Sequence, residues 1–255
     1  MQAAGAVVAP GAVAPVALLC GLPLLGEAAR AALAGSLGVQ LSAPLFLPSP
    51  QIGIIGAYAV PEDVPNRSTS LALALASPLT VAVISGLLLL YGGGLAAGSG
   101  VGGDAVELAA LNLAWPLALL PVNCDALTFA GTQGLVMAGY ALLPHSPDGQ
   151  TAWSCIVGRE RGQRLREVAA YLHPAVGLAT SWFCGAGWAS LPIWWAFLLI
   201  NFAAQPRPPP REELSEAPLA ARLGALVVLV TGAAYAIPGP VPNMLVEMLD
   251  LSATP

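Results

Sequence analysis

The sequence predicts an all-α polytopic membrane protein of about six transmembrane helices (about six to eight), with a short re-entrant β segment near residues 44–60, in a single domain over 1–255. Three observations carry that prediction. Of 255 residues, 56% are hydrophobic and only 9% charged, against roughly 45–50% and roughly 25% in soluble domains. Mean hydropathy is +0.74, so a water-soluble fold could not cover its surface. Residues 1–26, 31–61, 68–103, 108–124, 126–147, 168–206 and 223–246 contain no Asp, Glu, Lys or Arg. The same numbers exclude a disordered chain and a disulfide scaffold. All nine basic residues are Arg and the net charge is −5, which excludes a nucleic-acid footprint. The partner composition implies first is the lipid bilayer.

A span needs about 20 mostly apolar residues. The first candidate covers 11–33 and takes in Glu27 and Arg30. Next comes 31–61, where Pro44, Pro48, Pro50 and Pro61, with Gly53 and Gly56, forbid a continuous helix. Within it, 51–60 is rich in β-formers. Strand edges cannot face lipid, so this piece is expected to line a sheltered internal site. A second span covers 71–91, followed by glycines at 92–94 and 98–103 that read as a loop. Segment 105–122 is ambiguous, with Glu107, Asn112, Pro116 and Pro121. If it does not span, the loops holding Arg67, the arginines of 159–166 and those of 207–211 share one side. It is therefore read as interfacial or re-entrant. Further spans are expected at 126–143, 168–183, 189–203 and 223–237, with Trp182, Trp188, Trp194 and Trp195 as an interfacial belt. No basic n-region precedes Arg30, so neither a secretory signal nor a transit peptide is visible. The four Cys (20, 124, 155, 184) have no C-x-x-C spacing and read as packing residues.

Ionisable groups at membrane depth are costly and point to function. Glu27 and Arg30 lie three apart on one helix face, where a plain ion pair is the simpler alternative. Asp148 follows a span within Pro144-His145-Ser146-Pro147-Asp148-Gly149, whose prolines and glycine read as a turn. The two histidines, His145 and His173, have no metal-ligand spacing, and there is no H-E-x-x-H, G-x-S-x-G or P-loop.

In order, these features resemble the site-2 protease family. The matching pieces are Gly38-Val39-Gln40-Leu41-Ser42-Ala43-Pro44-Leu45-Phe46-Leu47-Pro48-Ser49, then Gln51-Ile52-Gly53 and Gly56-Ala57. Pro65-Asn66-Arg67 with the span through Ala76-Ser77-Pro78-Leu79 (family A-G-P-L) follows, then Leu127-Thr128-Phe129-Ala130-Gly131, Gly134-Leu135-Val136, Asp148-Gly149 and Gly158-Arg159. The last span, in 214–242, is also similar. The likeness covers most of 25–242 and is greatest to the plastid branch named for ethylene-dependent gravitropism-deficient, yellow-green plants.

The resemblance implies an intramembrane zinc metallopeptidase. In the family two His of H-E-x-x-H and the Asp of L-D-G bind zinc, the Glu activates water, and substrate lies beside a re-entrant β segment. Here that motif falls on Gly26-Glu27-Ala28-Ala29-Arg30. The base position Glu27 and the ligand position Asp148 are kept, while Gly26 and Arg30 replace the zinc histidines. Pro144 stands four residues before Asp148 where the family has five, Ala141 replaces an Asn, and Gln150 replaces a Gly. Catalytic zinc needs three protein ligands, and Arg30 puts a fixed positive charge where the cation would sit. Arg30 is therefore expected within hydrogen-bond reach of Glu27 or Asp148.

The expectation is a pseudoenzyme: a site-2-protease-like protein of a plastid membrane (thylakoid or inner envelope) with no cofactor. It would bind a transmembrane partner or complex, with Gln51, Ile52, Gly53 and Gly56 in the partner groove. Two alternatives stay open. One is an active metallopeptidase with substitute ligands His145, Asp148 and Glu27. The other is a transporter, or a structural subunit of a photosynthetic membrane complex.

Overall fold

The computed structural model describes residues 10–49, 53–99, 106–107, 123–124, 126–184, 210 and 216–236. Helix α1 (Pro10–Ser36) contains the first expected span. It stops at Gly38, whose φ of 69° suits a residue without Cβ. There the Gly38 N–H donates to the Gly35 carbonyl at 3.3 Å and the Val39 N–H to that of Ala34 at 2.9 Å. This is a Schellman ending, and its apolar contact is the small cluster of Ala34, Val39, Val64 and Leu73.

The proline-rich stretch folds as a β-hairpin. Strands β1 (Gln40–Leu41) and β4 (Pro61–Glu62) pair antiparallel, as do β2 (Leu45–Ser49) and β3 (Gly53–Tyr58). The β2–β3 register runs from Leu45 opposite Tyr58 to Ser49 opposite Gly53, with Gly56 opposite Leu47. It shifts between Leu47 and Pro48, where proline has no N–H to give the ladder. Gln51 and Ile52 lie outside the described residues.

Helix α2 (Arg67–Ser99) starts at an Asn66 cap, whose Oδ1 accepts from the Thr69 N–H at 2.9 Å. Its stretch Arg67–Gly92 is long and apolar enough to cross a bilayer, the one such helix among the described residues. The helix continues through Gly92, Gly93 and Gly94 to Ser99, correcting the loop expected there. Each glycine costs about 1 kcal/mol against alanine, but adding a residue to a long, already nucleated helix gains a hydrogen bond each time. Strands β5 (Val106–Glu107) and β6 (Asn123–Cys124) pair antiparallel, bringing the two ends of the ambiguous segment side by side.

Helix α3 (Ala126–Leu142) coincides with an expected span. The turn expected around Asp148 is instead the start of helix α4 (Pro147–Val157). Pro147 suits the first helical position because its missing N–H would have no helical partner. Ser146 caps the helix, its Oγ accepting from the Gly149 N–H at 3.1 Å. Gly158, at φ 91°, separates α4 from α5 (Arg159–Cys184), which begins two turns before the expected span. Helix α6 (Leu219–Ala236) includes the shorter apolar stretch Leu219–Ala233. The span expected at 189–203, with Trp188, Trp194 and Trp195, lies outside the described residues.

Helix α2 is central, packing on α1, α3 and α4, while α6 packs on α3 and α4. Leu71, Ala74 and Leu75 of α2, Leu142 of α3, Ala152, Cys155 and Ile156 of α4, and Ala225 and Leu229 of α6 share one core with Ala217. The α2–α3 crossing is so close that a Cβ on Gly131 would lie 2.6 Å from the Ser85 carbonyl oxygen. Outward, α2 exposes Leu79, Val83, Leu87 and Leu90, and α6 exposes Leu219, Leu223, Val227 and Val230. Each set recurs at three- and four-residue intervals, so each is one apolar helix face.

Candidate functional site

Three charged side chains meet in the interior. Glu27 and Arg30 stand one turn apart on α1, and Asp148 occupies the first turn of α4, where the helix N-terminus favours a negative group. Their exposures are 7%, 1% and 6%, so all three are shielded from water. Arg30 Nη2 donates to Asp148 Oδ2 and lies 3.4 Å from Glu27 Oε1. Arg30 is thus within hydrogen-bond reach of Asp148, one of the two partners expected from the sequence, and it stands beside Glu27 as well.

The hairpin joins the same cluster. Glu27 Oε2 accepts from the Ala59 N–H at 3.0 Å, and Arg30 Nη1 donates to the Ala59 carbonyl at 3.5 Å. The Arg30 Cζ sits 4.9 Å from the centre of the Tyr58 ring, a cation–π contact. Tyr58 and Ala59 escaped the sequence reading. Ala59 takes part through its main chain, which has no residue-type signature, and Tyr58 lay among β-formers with nothing to single it out.

Gly26 lies where α1 meets α2. A Cβ there would stand 2.6 Å from Ser77 Oγ and 2.9 Å from Val81 Cγ2. A larger side chain there would have to displace the Ser77 hydroxyl and the Val81 methyl, and would then meet the Ser77 carbonyl oxygen 3.1 Å away. Gly53 and Gly56 are in the hairpin, paired with Ser49 and Leu47.

His145 lies between α3 and α4, and its ring stacks on that of His173 of α5, centroids 5.2 Å apart. His173 in turn meets the Tyr140 ring edge-on at 5.4 Å. Among the described residues, neither nitrogen of His145 has a hydrogen-bond partner. Burial first, then the neighbouring His173 and Arg166, push its pKa down to about 3, so the imidazole stays neutral. The sequence showed these two histidines only as scarce, and nothing in it pairs them.

These residues do not fit zinc. Arg30 holds the Asp148 carboxylate, and His145 is stacked on His173. Among the described residues no three His, Cys, Asp or Glu are grouped to hold a metal ion. A divalent ion about 4 Å from a guanidinium is repelled by about 8 kcal/mol at an effective dielectric of about 20. Structural zinc binding is worth about 10–16 kcal/mol with a full ligand set, so the repulsion alone offsets about half of that or more.

No family model matches the chain, and no curated protein matches it. Among solved structures, the site-2 protease from Methanocaldococcus jannaschii is similar, with a TM-score of 0.49 and 19% identity over 82% of this chain and 84% of that one.

Proposed function

We propose that this chain is an integral membrane protein of site-2-protease type in which an arginine has taken the place of zinc. It acts by binding a transmembrane partner, and it does not hydrolyse one. The observation that carries this reading is the buried Arg30 guanidinium set between Asp148 and Glu27. Hydrolysis needs an open metal position and an activated water, and a fixed cation on the remaining ligand removes the first.

The contact between Gly26 and Ser77 supports the same reading. By the resemblance, position 26 carried a histidine and position 77 a glycine. Here the small residue has moved to α1 and the larger one to α2, so the room a zinc ligand needs is taken. The partner lies along the hairpin that contains Gly53 and Gly56, and the membrane is that of a plastid, thylakoid or inner envelope.

Metal analysis of the purified chain tests this. The wild type is expected to carry no stoichiometric zinc, and Gly26→His with Arg30→His is expected not to restore it, because Ser77 and Val81 still close the space. Stoichiometric zinc in the wild type, or cleavage of a membrane substrate lost on Glu27→Gln, would overturn the reading. Isolation from its membrane as a partner-free monomer would count against the binding role.

A further inference from the structure

The hairpin contains a break that its own strands do not mend. The β2–β3 ladder ends with Leu45 opposite Tyr58, and the β1–β4 ladder resumes with Leu41 opposite Pro61. Between them, Ser42, Ala43 and Pro44 face only Ala59 and Val60. Unequal lengths prevent the ladder from running through, as at a bulge. Val60 is satisfied locally: its N–H donates to Ser42 Oγ and its carbonyl accepts from the Ser42 N–H, both at 2.9 Å. Ala59 is buried and needs partners from elsewhere, since buried backbone groups are rarely left unpaired.

Both its partners come from α1. Glu27 takes the N–H and Arg30 approaches the carbonyl. Bonds to charged groups are stronger than those between neutral ones. The Arg30 guanidinium also lies over the ring of Tyr58, the last residue of β3, and Asp148 accepts from its Nη2.

We propose that Glu27, Arg30 and Asp148 form a clamp on the Ala59 peptide, and that this clamp fixes the β2–β3 hairpin against α1. Arg30 and Glu27 are positioning residues for the hairpin, and Asp148 holds the Arg30 fork in place. The role is independent of whether the centre ever held a metal. A cluster that merely neutralised itself would leave the hairpin indifferent to these side chains.

Amide hydrogen exchange on the full chain in detergent, read by mass spectrometry, tests the clamp. Glu27→Gln keeps an acceptor oxygen and is expected to retain slow exchange over 53–60. Glu27→Leu removes it, and exchange there is expected to rise about tenfold while the α2 core of 71–85 is unchanged. Unchanged exchange over 53–60 in Glu27→Leu overturns the proposal. If Glu27→Leu loosens the whole chain, Arg30→Lys decides: lysine keeps a charge beside Asp148 but has no planar fork to reach Ala59 as well. A rise confined to 53–60 then supports the clamp, and an unchanged or uniform profile overturns it.

Discussion

An arginine can stand between two carboxylates in a dry interior because its charge is not given up at any ordinary pH. Arg30 does so at 1% exposure, and removing it would take the neighbouring cation from two buried carboxylates. Arg30→Met is expected to cost about 3–5 kcal/mol, the usual penalty for stranding a buried partner. Neutralising Glu27 and Asp148 as well, with Gln and Asn, should recover much of that loss, because the three act as one unit. Unfolding of each variant in detergent measures both effects, and equal stability of Arg30→Met and wild type would refute them. At this scale the sequence was informative wherever a charge was rare. Glu27, Arg30 and Asp148 stood out because so few ionisable residues interrupt the apolar runs. Ser77 and Ala59 did not, since their part depends on the distance between helices and on a main-chain group.

The elements were legible where an apolar run was long. The expected spans 11–33, 71–91 and 126–143 fall on α1, α2 and α3. The boundary at Asp148 was misread because Ser-Pro-Asp-Gly serves equally as a turn and as a helix start. What decides it is the apolar set that follows: Ala152, Cys155 and Ile156 recur at helical spacing and enter the core. Ser146 should therefore behave as a cap. Ser146→Ala is expected to cost about 1 kcal/mol, seen as a lower unfolding temperature, while Ser146→Asp retains most of the stability.

The link between the α3–α4 connection and α5 has its own pH signature. His145 titrates near 3 in the folded chain against an ordinary 6.5. Between those values the unfolded chain binds the extra proton, so stability rises with pH there, by up to about 1.4 kcal/mol per unit from this group. Above 6.5 the contribution is complete, and it is lost as acid is added. His145→Phe should flatten the dependence of unfolding temperature on pH between 6.5 and 4.5. An unaltered slope would mean that another group controls it.

For the molecule as a whole, composition alone had already pointed to lipid, and the exposed faces say where it would lie. Leu79, Val83, Leu87 and Leu90 on α2 are open to the surroundings, and such a face in water would invite association. Labels on a chain freed of its native cysteines should therefore differ by position in a bilayer. A spin label at 87 is expected in an apolar, oxygen-rich environment and one at exposed Arg164 in water. Equal polarity at both sites would argue against the membrane reading. The order of packing was not legible, because a stripe of leucines has the same pattern whether it faces lipid or a neighbouring helix. Burial and the close approach of Gly131 to Ser85 distinguish the two among the described residues, and both depend on geometry.

A bound ion obeys mass action: its occupancy follows its free concentration, the competing protons and any chelator present. Arg30 is under no such control. Covalently tied to α1, it reaches Asp148 at an effective concentration set by the fold. On the proposed reading the centre is complete as soon as α1, α4 and the hairpin meet, without a delivery step. Its assembly would then answer to synthesis and folding of the chain, and not to a metal supply.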